Sequence, residues 1–303
     1  MKLNSVKVNL QYFLPKHLLT SLVGILASAK LGKVTTTAAK MFARAYNINM
    51  DEAEDDIEDF ATFNDFFSRA LKAGARPIDT KKDSIVFPAD GKINNFGDLI
   101  KGFQLQAKGH YFTTEALLGH KEDAVYFDDG KFMTVYLSPQ DYHRVHIPAA
   151  GKLLKMTYIP GELFSVNPLY TKNIPELFSR NERVVCLFET EFGKMAVVFV
   201  GAAIVRSIAT QWAGVVAPNN ETEITTETYE KQNINFAKGD EIGKFFMGST
   251  VICLFEKGKI EFAANLQAEQ KTRVGTAMAT VIGAAGKKSA TAKRVRKTTK
   301  KSA

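Results

Sequence analysis

A glycine followed by a serine inside an apolar run is the first arrangement in this sequence that could do chemistry. Residues 244–255 read Lys-Phe-Phe-Met-Gly-Ser-Thr-Val-Ile-Cys-Leu-Phe, a β-favouring run that Gly248-Ser249-Thr250 interrupts. Gly248 has no Cβ, so its carbonyl can be approached closely, and Ser249 carries a hydroxyl that becomes a nucleophile once a base accepts its proton. The simplest structural interpretation is a β-bulge with a hydrogen-bonded serine. A catalytic interpretation needs a base from elsewhere in the chain.

The best candidates for that base are two histidines three residues apart, His143 and His146. They lie in a proline-bounded segment, residues 138–148, that follows a strand-like run. In an extended segment the two imidazoles point to opposite sides, so they would have different neighbours and could have different roles. One histidine alone is more often structural, but a pair next to Asp141 in a constrained loop is a candidate acid–base site.

Asp90 is a further candidate, in the turn-like sequence Phe-Pro-Ala-Asp-Gly at residues 87–91. An aspartate in a turn most often bonds to its own backbone. The functional alternative is a carboxylate that orients an imidazole, and Asp90, a loop histidine and Ser249 would then form a base-activated nucleophile. Spacing along the chain leaves open whether the three residues meet.

The elements that must position these residues are mostly short strands separated by turn residues. We expect strands at residues 84–87, 132–137, 184–188, 195–205, 251–255 and 259–262, the third and fourth forming a hairpin. Thr62 followed by Asp65 predicts a short capped helix ahead of them. Many strands with few internal helices predict the α+β class, with a mainly antiparallel, barrel-like or sandwich-like body.

Composition excludes several classes of protein. Of the 303 residues 45% are hydrophobic, which is enough for a full core. The two cysteines, Cys186 and Cys253, both lie in apolar runs, which predicts buried thiols rather than a disulfide framework. The sequence has no Cys or His spacing typical of a metal site, and no apolar run reaches the roughly 20 residues of a transmembrane helix.

The formal net charge of +8 is concentrated at the two ends of the chain. Residues 1–50 contain seven Lys and Arg, residues 287–303 contain eight, and neither end has an acidic residue. The part between them is therefore mildly acidic. We divide the chain into a helical segment at 1–50, a catalytic α+β domain at 51–282 and a disordered basic tail at 283–303.

Two amphipathic helices are predicted within residues 1–50 from apolar residues at helical spacing. Lys33, Lys40 and Arg44 fall opposite the apolar face of the second helix. Such a pair can lie in the interface of an anionic membrane, and the alternative is packing on the body of the protein. The basic tail could add membrane affinity or bind nucleic acid without specificity, but a tolerated disordered extension is the simpler interpretation.

Seven ordered blocks of sequence resemble the bacterial type of the phosphatidylserine decarboxylase family over about residues 3–270. The blocks are Thr-Phe-Asn-Asp-Phe-Phe at 62–67, Phe-Pro-Ala-Asp-Gly at 87–91, Gln-Ala-Lys-Gly-His at 106–110, Tyr-His-Arg-Val-His at 142–146, Pro-Gly-Glu-Leu-Phe-Ser-Val-Asn at 160–167, Asn-Glu-Arg-Val at 181–184 and Gly-Ser-Thr at 248–250. One tripeptide would be weak support, whereas seven blocks in order over this length are specific. This family makes its own pyruvoyl group by self-cleavage, which would explain a Gly-Ser pair inside an apolar strand.

The resemblance implies a role for each candidate in that self-cleavage. His146, held by Asp90, would remove the proton from Ser249, whose oxygen would attack the Gly248 carbonyl. The resulting ester would eliminate, so that a long chain ends at Gly248 and a short chain begins with the pyruvoyl group, a covalently bound pyruvate made from Ser249. That group would bind the amine of phosphatidylserine as a Schiff base and accept electrons as carbon dioxide leaves.

The resemblance also implies further site residues and partners. His143 would return a proton to the substrate carbon or handle the substrate carboxylate, Asp141 could orient the histidine pair, and Ser165 is a pocket candidate whose alternative is a loop-capping hydroxyl. The implied partners are phosphatidylserine, an anionic membrane surface, the chain of residues 1–248 with the chain of residues 249–303, and a homodimer of such pairs, with no specific nucleic acid. The implied location is the cytoplasmic face of the cell membrane, as a peripheral protein.

Two other functions fit part of the pattern. A serine hydrolase could use Asp90, His146 and Ser249 on external esters or peptides, although a Gly-x-Ser-x-Gly elbow is missing and the chain would stay intact. A non-catalytic membrane-binding β protein would use the Gly-Ser pair only as a bulge. Only the decarboxylase requires two fragments, so the mass of the chain separates these functions.

Overall fold

The computed structural model of the protein describes residues 8, 11–12, 15–107, 109–202, 207–217, 221–246 and 249–283. Its helices are α1 (Lys16–Ser28), α2 (Lys33–Tyr46), α3 (Phe63–Phe67), α4 (Thr114–Leu118), α5 (Lys121–Ala124), α6 (Pro168–Thr171) and α7 (Leu177–Arg180), with a 3₁₀ turn at Val125–Phe127. The first two helices confirm the prediction for residues 1–50. From residue 284 on, the predicted tail lies outside the described residues.

Short strands make up most of the body. They are β1 (Ser84–Val86), β2 (Gly91–Asp98), β3 (Phe103–Ala107), β4 (His110–Thr113), β5 (Lys131–Leu137), β6 (Arg144–His146), β7 (Gly151–Ile159), β8 (Arg183–Thr190), β9 (Gly193–Val200), β10 (Ile208–Thr210), β11 (Gly214–Ala217), β12 (Thr225–Thr228), β13 (Asn235–Phe236), β14 (Glu241–Phe245), β15 (Ser249–Phe255), β16 (Ile260–Phe262), β17 (Lys271–Thr272) and β18 (Ala277–Val281). The predicted hairpin is β8–β9, whose turn contains Gly193.

The strand pairings confirm the α+β class with antiparallel sheets. The largest sheet has nine strands in the order β12-β7-β8-β9-β15-β5-β2-β17, and β13 also pairs with β7. Among the described strands its two end strands, β12 and β17, do not pair with each other, so this sheet is open rather than a closed barrel. A four-stranded sheet, β11-β10-β14-β6, and a three-stranded sheet, β1-β18-β16, share one core with a face of the large sheet, which makes the body sandwich-like.

β15 lies in the middle of the nine-stranded sheet and is buried along its whole length. Val251 and Cys253 belong to the core that the smaller sheets cover. Ile252 and Leu254 belong to a second core on the opposite face, together with residues of α4 and α7. An apolar, β-branched run of this length suits a strand that is covered on both faces.

The ends of several strands meet at one edge of the nine-stranded sheet. A row of paired residues runs along this edge: Ile159, Arg183, Val200, Thr250, Tyr136 and Lys92. Ser249 begins β15 here, Asp90 immediately precedes β2, residues 138–143 follow β5, and residues 160–167 follow β7. The register therefore brings the four predicted site segments to the same edge.

α3 connects the N-terminal helices to this edge. The Thr62 hydroxyl accepts a hydrogen bond from the Asp65 N–H, and the Asp65 carboxylate accepts one from the Thr62 N–H, both at 3.1 Å, which confirms the predicted helix cap. Phe66 of α3 packs in a small core with Ala39 of α2 and with Phe60. Within the described ranges, the structure contains no helix with the length and apolar character that a membrane crossing requires.

Candidate active site

Ser249, the predicted nucleophile, is fully buried at the start of β15. It lies opposite Leu137 of β5, and the register from Ser249 onward shows no bulge. Its hydroxyl oxygen has no hydrogen-bond partner among the described residues. No described hydrogen bond holds this hydroxyl, so it is available to react with the carbonyl of the residue before it. Gly248, the predicted cleavage residue, lies outside the described residues.

His143 is fully buried next to this strand end. Its Nδ1 lies 2.8 Å from the Asp141 carbonyl oxygen, which can only accept, so Nδ1 carries the hydrogen and Nε2 keeps a lone pair. In the described part of the chain, Nε2 has no partner. Burial, together with the positive charge of Arg69, lowers the pKa of His143 to about 3, so the imidazole is neutral at neutral pH.

Two backbone connections place His143 close to Ser249. The Phe245 N–H, at the end of β14, donates to the His143 carbonyl (2.9 Å), and Phe245 and Ser249 are four residues apart in the chain. Leu137, opposite Ser249, begins the turn that leads to His143. The imidazole and the hydroxyl therefore belong to the same corner of the sheet.

His146 lies on the other side of the same segment, in β6. His143 is fully buried while His146 is partly exposed, which is the alternation that an extended segment predicts. The Gly239 carbonyl accepts from Nδ1 of His146 (2.7 Å), and Nε2 accepts from the Tyr142 hydroxyl (3.1 Å). Burial lowers the pKa of His146, so this imidazole is also held neutral with a lone pair on Nε2.

Asp90 is held by an arginine rather than by a histidine. Its carboxylate accepts from Nε of Arg76 at 2.9 and 3.0 Å and from the Val274 N–H at 2.8 Å. No hydrogen bond among the described residues joins Asp90 to His146 or His146 to Ser249. The backbone N–H of His146 donates to the Pro88 carbonyl (2.8 Å), which anchors the histidine segment to the turn that carries Asp90. The negative charge of Asp90 favours protonation and partly opposes the lowering of the His146 pKa, so the two residues interact electrostatically without a direct bond.

Asp141 acts on His143 through its backbone. Its carboxylate accepts from the Ser138 N–H (2.7 Å) and hydroxyl (2.6 Å), and burial raises its pKa. Its carbonyl oxygen is the group that fixes the imidazole of His143. The structure thus shows an orienting contact for one histidine of the pair.

Ser165 lies in the loop after β7, at the same edge of the sheet. Its N–H donates to Oε1 of Gln11 (2.9 Å), and the hydrogen bonds of the described residues include none from its hydroxyl to either histidine. The Asn181 amide ties this loop to the sheet, since Nδ2 donates to the carbonyls of Phe164 and Gly201, both at 2.8 Å. Ser165 is therefore positioned near the site without touching its histidines.

Sequence reasoning missed two arginines of this region, Arg76 and Arg69. Arg76 joins Asp90 to Glu52, and its Nη2 lies 2.9 Å from the Glu52 carboxylate. Arg69 is almost completely buried, directly after α3. Sequence position gave no signal for them, because Lys72, which follows the same helix between the two arginines, is exposed.

The arrangement defines a class of protein: an α+β enzyme with a buried serine hydroxyl and two neutral imidazoles that each keep a lone pair on Nε2. Such groups suit proton transfer and attack of a hydroxyl on a carbonyl.

Comparison with known proteins specifies this class. The family model described as phosphatidylserine decarboxylase matches residues 63–280, and a model described as PSD matches residues 6–47. The chain is 50% identical over 285 residues to a phosphatidylserine decarboxylase proenzyme of Shewanella woodyi, covering 92% of this chain and 99% of that protein. A protein of the same name from Shewanella baltica (strain OS155) is 51% identical over 283 residues, covering 91% of this chain and 97% of the other. The chain belongs to the phosphatidylserine decarboxylase family.

Proposed function

We propose that this chain is the precursor of an enzyme that decarboxylates phosphatidylserine to phosphatidylethanolamine and carbon dioxide, a step of phospholipid biosynthesis. The observation that carries the proposal is the buried hydroxyl of Ser249, which has no partner among the described residues, at the sheet edge that the histidine segment also reaches. Family membership over most of the chain supplies the reaction class.

The precursor would first cut itself between Gly248 and Ser249. His146, under the electrostatic influence of Asp90, takes the proton of the Ser249 hydroxyl, and the oxygen attacks the Gly248 carbonyl carbon. The peptide C–N bond breaks as a C–O ester bond forms, so the acyl group moves from nitrogen to oxygen. Loss of the α-proton of residue 249 then expels the Gly248 carboxylate, and water replaces the nitrogen, which leaves as ammonia.

The two chains that this reaction produces would stay together. β15, the first strand of the chain of residues 249–303, is paired along its length with β5 and β9 of the chain of residues 1–248. The later strands β17 and β18 pair with β2 and β1. Cutting ahead of β15 therefore removes no strand pairing of the described sheet.

The residues around position 249 fit a pyruvoyl group made from this serine. The position is fully buried, and Nε2 of His143, whose segment reaches the same edge of the sheet, has no partner among the described residues. The chemistry that a pyruvoyl group supplies is a carbonyl carbon that condenses with an amine and withdraws electrons from the neighbouring carboxylate-bearing carbon. His143 is the residue of this chain that would hold and deliver the proton that the substrate carbon needs after carbon dioxide leaves.

Intact-mass measurement of the purified protein, combined with an assay of carbon dioxide release from phosphatidylserine, tests this proposal. We expect two polypeptides, the shorter one beginning at residue 249 with a blocked terminus that hydrazine or hydride reagents modify. An active protein that remains one chain of 33.5 kDa with an unmodified Ser249 would contradict it. Hydrolysis of esters without cutting of the chain would favour the serine hydrolase instead.

We also propose that α1 and α2 dock the enzyme on an anionic membrane, as a peripheral protein at the cytoplasmic face. Three large apolar side chains on these helices are about two-thirds exposed: Ile25 (67%), Leu26 (65%) and Met41 (67%). Lys33 and Arg44 supply positive charge close by, and the proposed substrate is itself an anionic lipid. An apolar surface with cations beside it suits the boundary between headgroups and acyl chains.

Replacing Ile25, Leu26 and Met41 together by serine is expected to lower partitioning onto vesicles of anionic phospholipid by at least about 100-fold. Each of these side chains contributes about 1–2 kcal/mol when its exposed part enters the bilayer. Sedimentation with vesicles measures the change. Deleting residues 1–49 is a poorer test, because it would also remove Ala39 and Ile48 from the core that holds α3.

A matched control uses three equally exposed apolar residues outside α1 and α2: Ile100 (68%), Val125 (59%) and Val215 (61%). Their joint replacement by serine should leave vesicle binding unchanged. Equal losses in both triple variants, or no loss in either, would refute docking through α1 and α2.

A further inference from the structure

Arg69 is a buried cation whose guanidinium is left largely unsatisfied. The residue follows α3 and is 4% exposed. Neither Nε nor Nη1 has a hydrogen-bond partner in the described part of the protein. The guanidinium carbon lies 6.0 Å from the ring centre of Phe66, a contact that satisfies none of its N–H donors.

The carboxylates near Arg69 are engaged elsewhere. Asp90 is bound by Arg76 and by the Val274 N–H, and Asp141 accepts from Ser138. Among the ion pairs within 4.0 Å that the described residues form, none involves Arg69. Burial lowers the pKa of Arg69 to about 10, so the side chain stays protonated at neutral pH.

Arg183 shows how this fold satisfies a buried arginine that only supports structure. Its Nε donates to the Leu117 carbonyl (2.8 Å), its Nη1 to the Asn181 carbonyl (2.9 Å) and its Nη2 to the Ala116 carbonyl (2.5 Å). Nε and Nη1 of Arg69 have no such acceptors among the described residues. Because an uncompensated buried charge is costly, the contrast indicates that a ligand supplies the missing acceptor.

The position of Arg69 places that ligand next to His143. Phe67, two residues earlier, packs its ring 4.2 Å from the imidazole ring of His143, measured between centroids. The Ser68 carbonyl accepts from Nε of Arg144, the neighbour of His143 (2.9 Å). The charge of Arg69 is also one of the influences that keep His143 unprotonated.

We propose that Arg69 is the anion-binding residue of this site, and that its guanidinium holds an acidic oxygen group of the substrate beside His143. This inference rests on the proposed function, because the substrate named there carries two such groups, a carboxylate and a phosphodiester. Both present paired oxygens to the planar fork of an arginine. An anion on Arg69 would also cancel the positive charge that opposes protonation of His143, so binding and proton delivery would be coupled.

Replacing Arg69 by methionine tests this role. We expect KM for phosphatidylserine in mixed micelles to rise by about 10- to 100-fold, the usual size of a lost charge-assisted hydrogen bond. Arg69→Lys keeps the charge but not the forked guanidinium, so its KM should lie between those of the wild type and of Arg69→Met. Rates are divided by the concentration of processed enzyme, so that a change in self-cleavage does not alter KM. The wild-type enzyme is measured alongside as the reference. A wild type without activity would refute the proposed function, whereas an active wild type with an unchanged Arg69→Met variant would refute only the role of Arg69.

Thermal unfolding gives a second readout that does not depend on the reaction. In the uncut Ser249→Ala background, Arg69→Met should leave Tm unchanged or raise it, because it removes an unpaired buried charge. Arg183→Met, which loses three hydrogen bonds, should lower Tm. A fall in Tm for Arg69→Met as large as that for Arg183→Met would mean a structural arginine and overturn the proposal. With Ser249 present, loss of self-cleavage in Arg69→Met at an unchanged Tm would overturn it as well.

Product inhibition distinguishes the two acidic groups. Phosphatidylethanolamine keeps the phosphodiester and lacks the carboxylate. If Arg69 holds the phosphodiester, Arg69→Met raises the inhibition constant of phosphatidylethanolamine by the same factor as KM. If it holds the carboxylate, KM rises while this inhibition constant stays unchanged. A variant in which neither constant changes by more than about twofold would exclude both forms of the proposal.

Discussion

Ser249→Ala is expected to remain a single chain of 33.5 kDa and to lose decarboxylase activity by more than about 1,000-fold. The substitution removes the only atom that can attack the preceding carbonyl from this position, and it also removes the atoms from which the pyruvoyl group would be made. Because the Ser249 hydroxyl has no partner among the described residues, its loss should not weaken the fold. The expected result is therefore a folded, uncut and inactive protein, which intact mass, Tm and carbon dioxide release measure together.

Thr250 offers a matched control for this experiment. It is the next residue of β15, is equally buried, and its hydroxyl likewise lacks a partner in the described part of the chain. Alternation along the strand turns it to the face of the sheet opposite to that of Ser249. Thr250→Val should therefore still cut and decarboxylate. A Ser249→Ala protein that is cut, or a Thr250→Val protein that is uncut, would contradict the assignment of the nucleophile.

The strands and their faces could be predicted because their signals are local. The apolar run from Val251 to Phe255 fixes a buried strand, and Gly193 marks the hairpin turn between β8 and β9. The two sides of the His143–His146 segment follow from the period of an extended chain. That Asp90, the histidine segment and Ser249 belong to one site could be predicted only from the family resemblance.

The partners of the charged groups could not be predicted in the same way. His146 takes its acceptor from Gly239, 93 residues away, and this contact depends on how β6 pairs with β14. Asp90 was expected to hold an imidazole, but the structure places the guanidinium of Arg76 on its carboxylate. The long side chain of an arginine can reach several acceptors. Its partner therefore depends on three-dimensional packing, which cannot be read from spacing along the sequence.

The two histidines differ in the partner of Nε2. Both are neutral and both have a lone pair on Nε2, but Nε2 of His146 already accepts from Tyr142, while Nε2 of His143 has no partner among the described residues. The family resemblance assigns the self-cleavage step to His146. The geometry, by contrast, leaves Nε2 of His143 without a partner among the described residues. Mutation of each histidine therefore decides which one activates Ser249 and which one transfers the later proton.

His146→Ala is expected to stay uncut, whereas His143→Ala should cut and then decarboxylate about 100- to 10,000-fold more slowly, the usual contribution of a positioned proton donor. His143→Asn refines the test, because its amide can still donate to the Asp141 carbonyl, as Nδ1 does, but offers no base at Nε2. If His143→Asn behaves like His143→Ala, proton transfer at Nε2 is what matters and not the hydrogen bond to Asp141. His120→Ala removes an imidazole whose hydrogen bond among the described residues goes to Thr226 and which lies near Glu122, so this control should cut and react normally. Should His143→Ala remain uncut while His146→Ala is processed, the two roles are exchanged: the unpartnered nitrogen of His143 is then the base that activates Ser249, and the hydrogen bond from Tyr142 to His146 belongs to the later proton transfer.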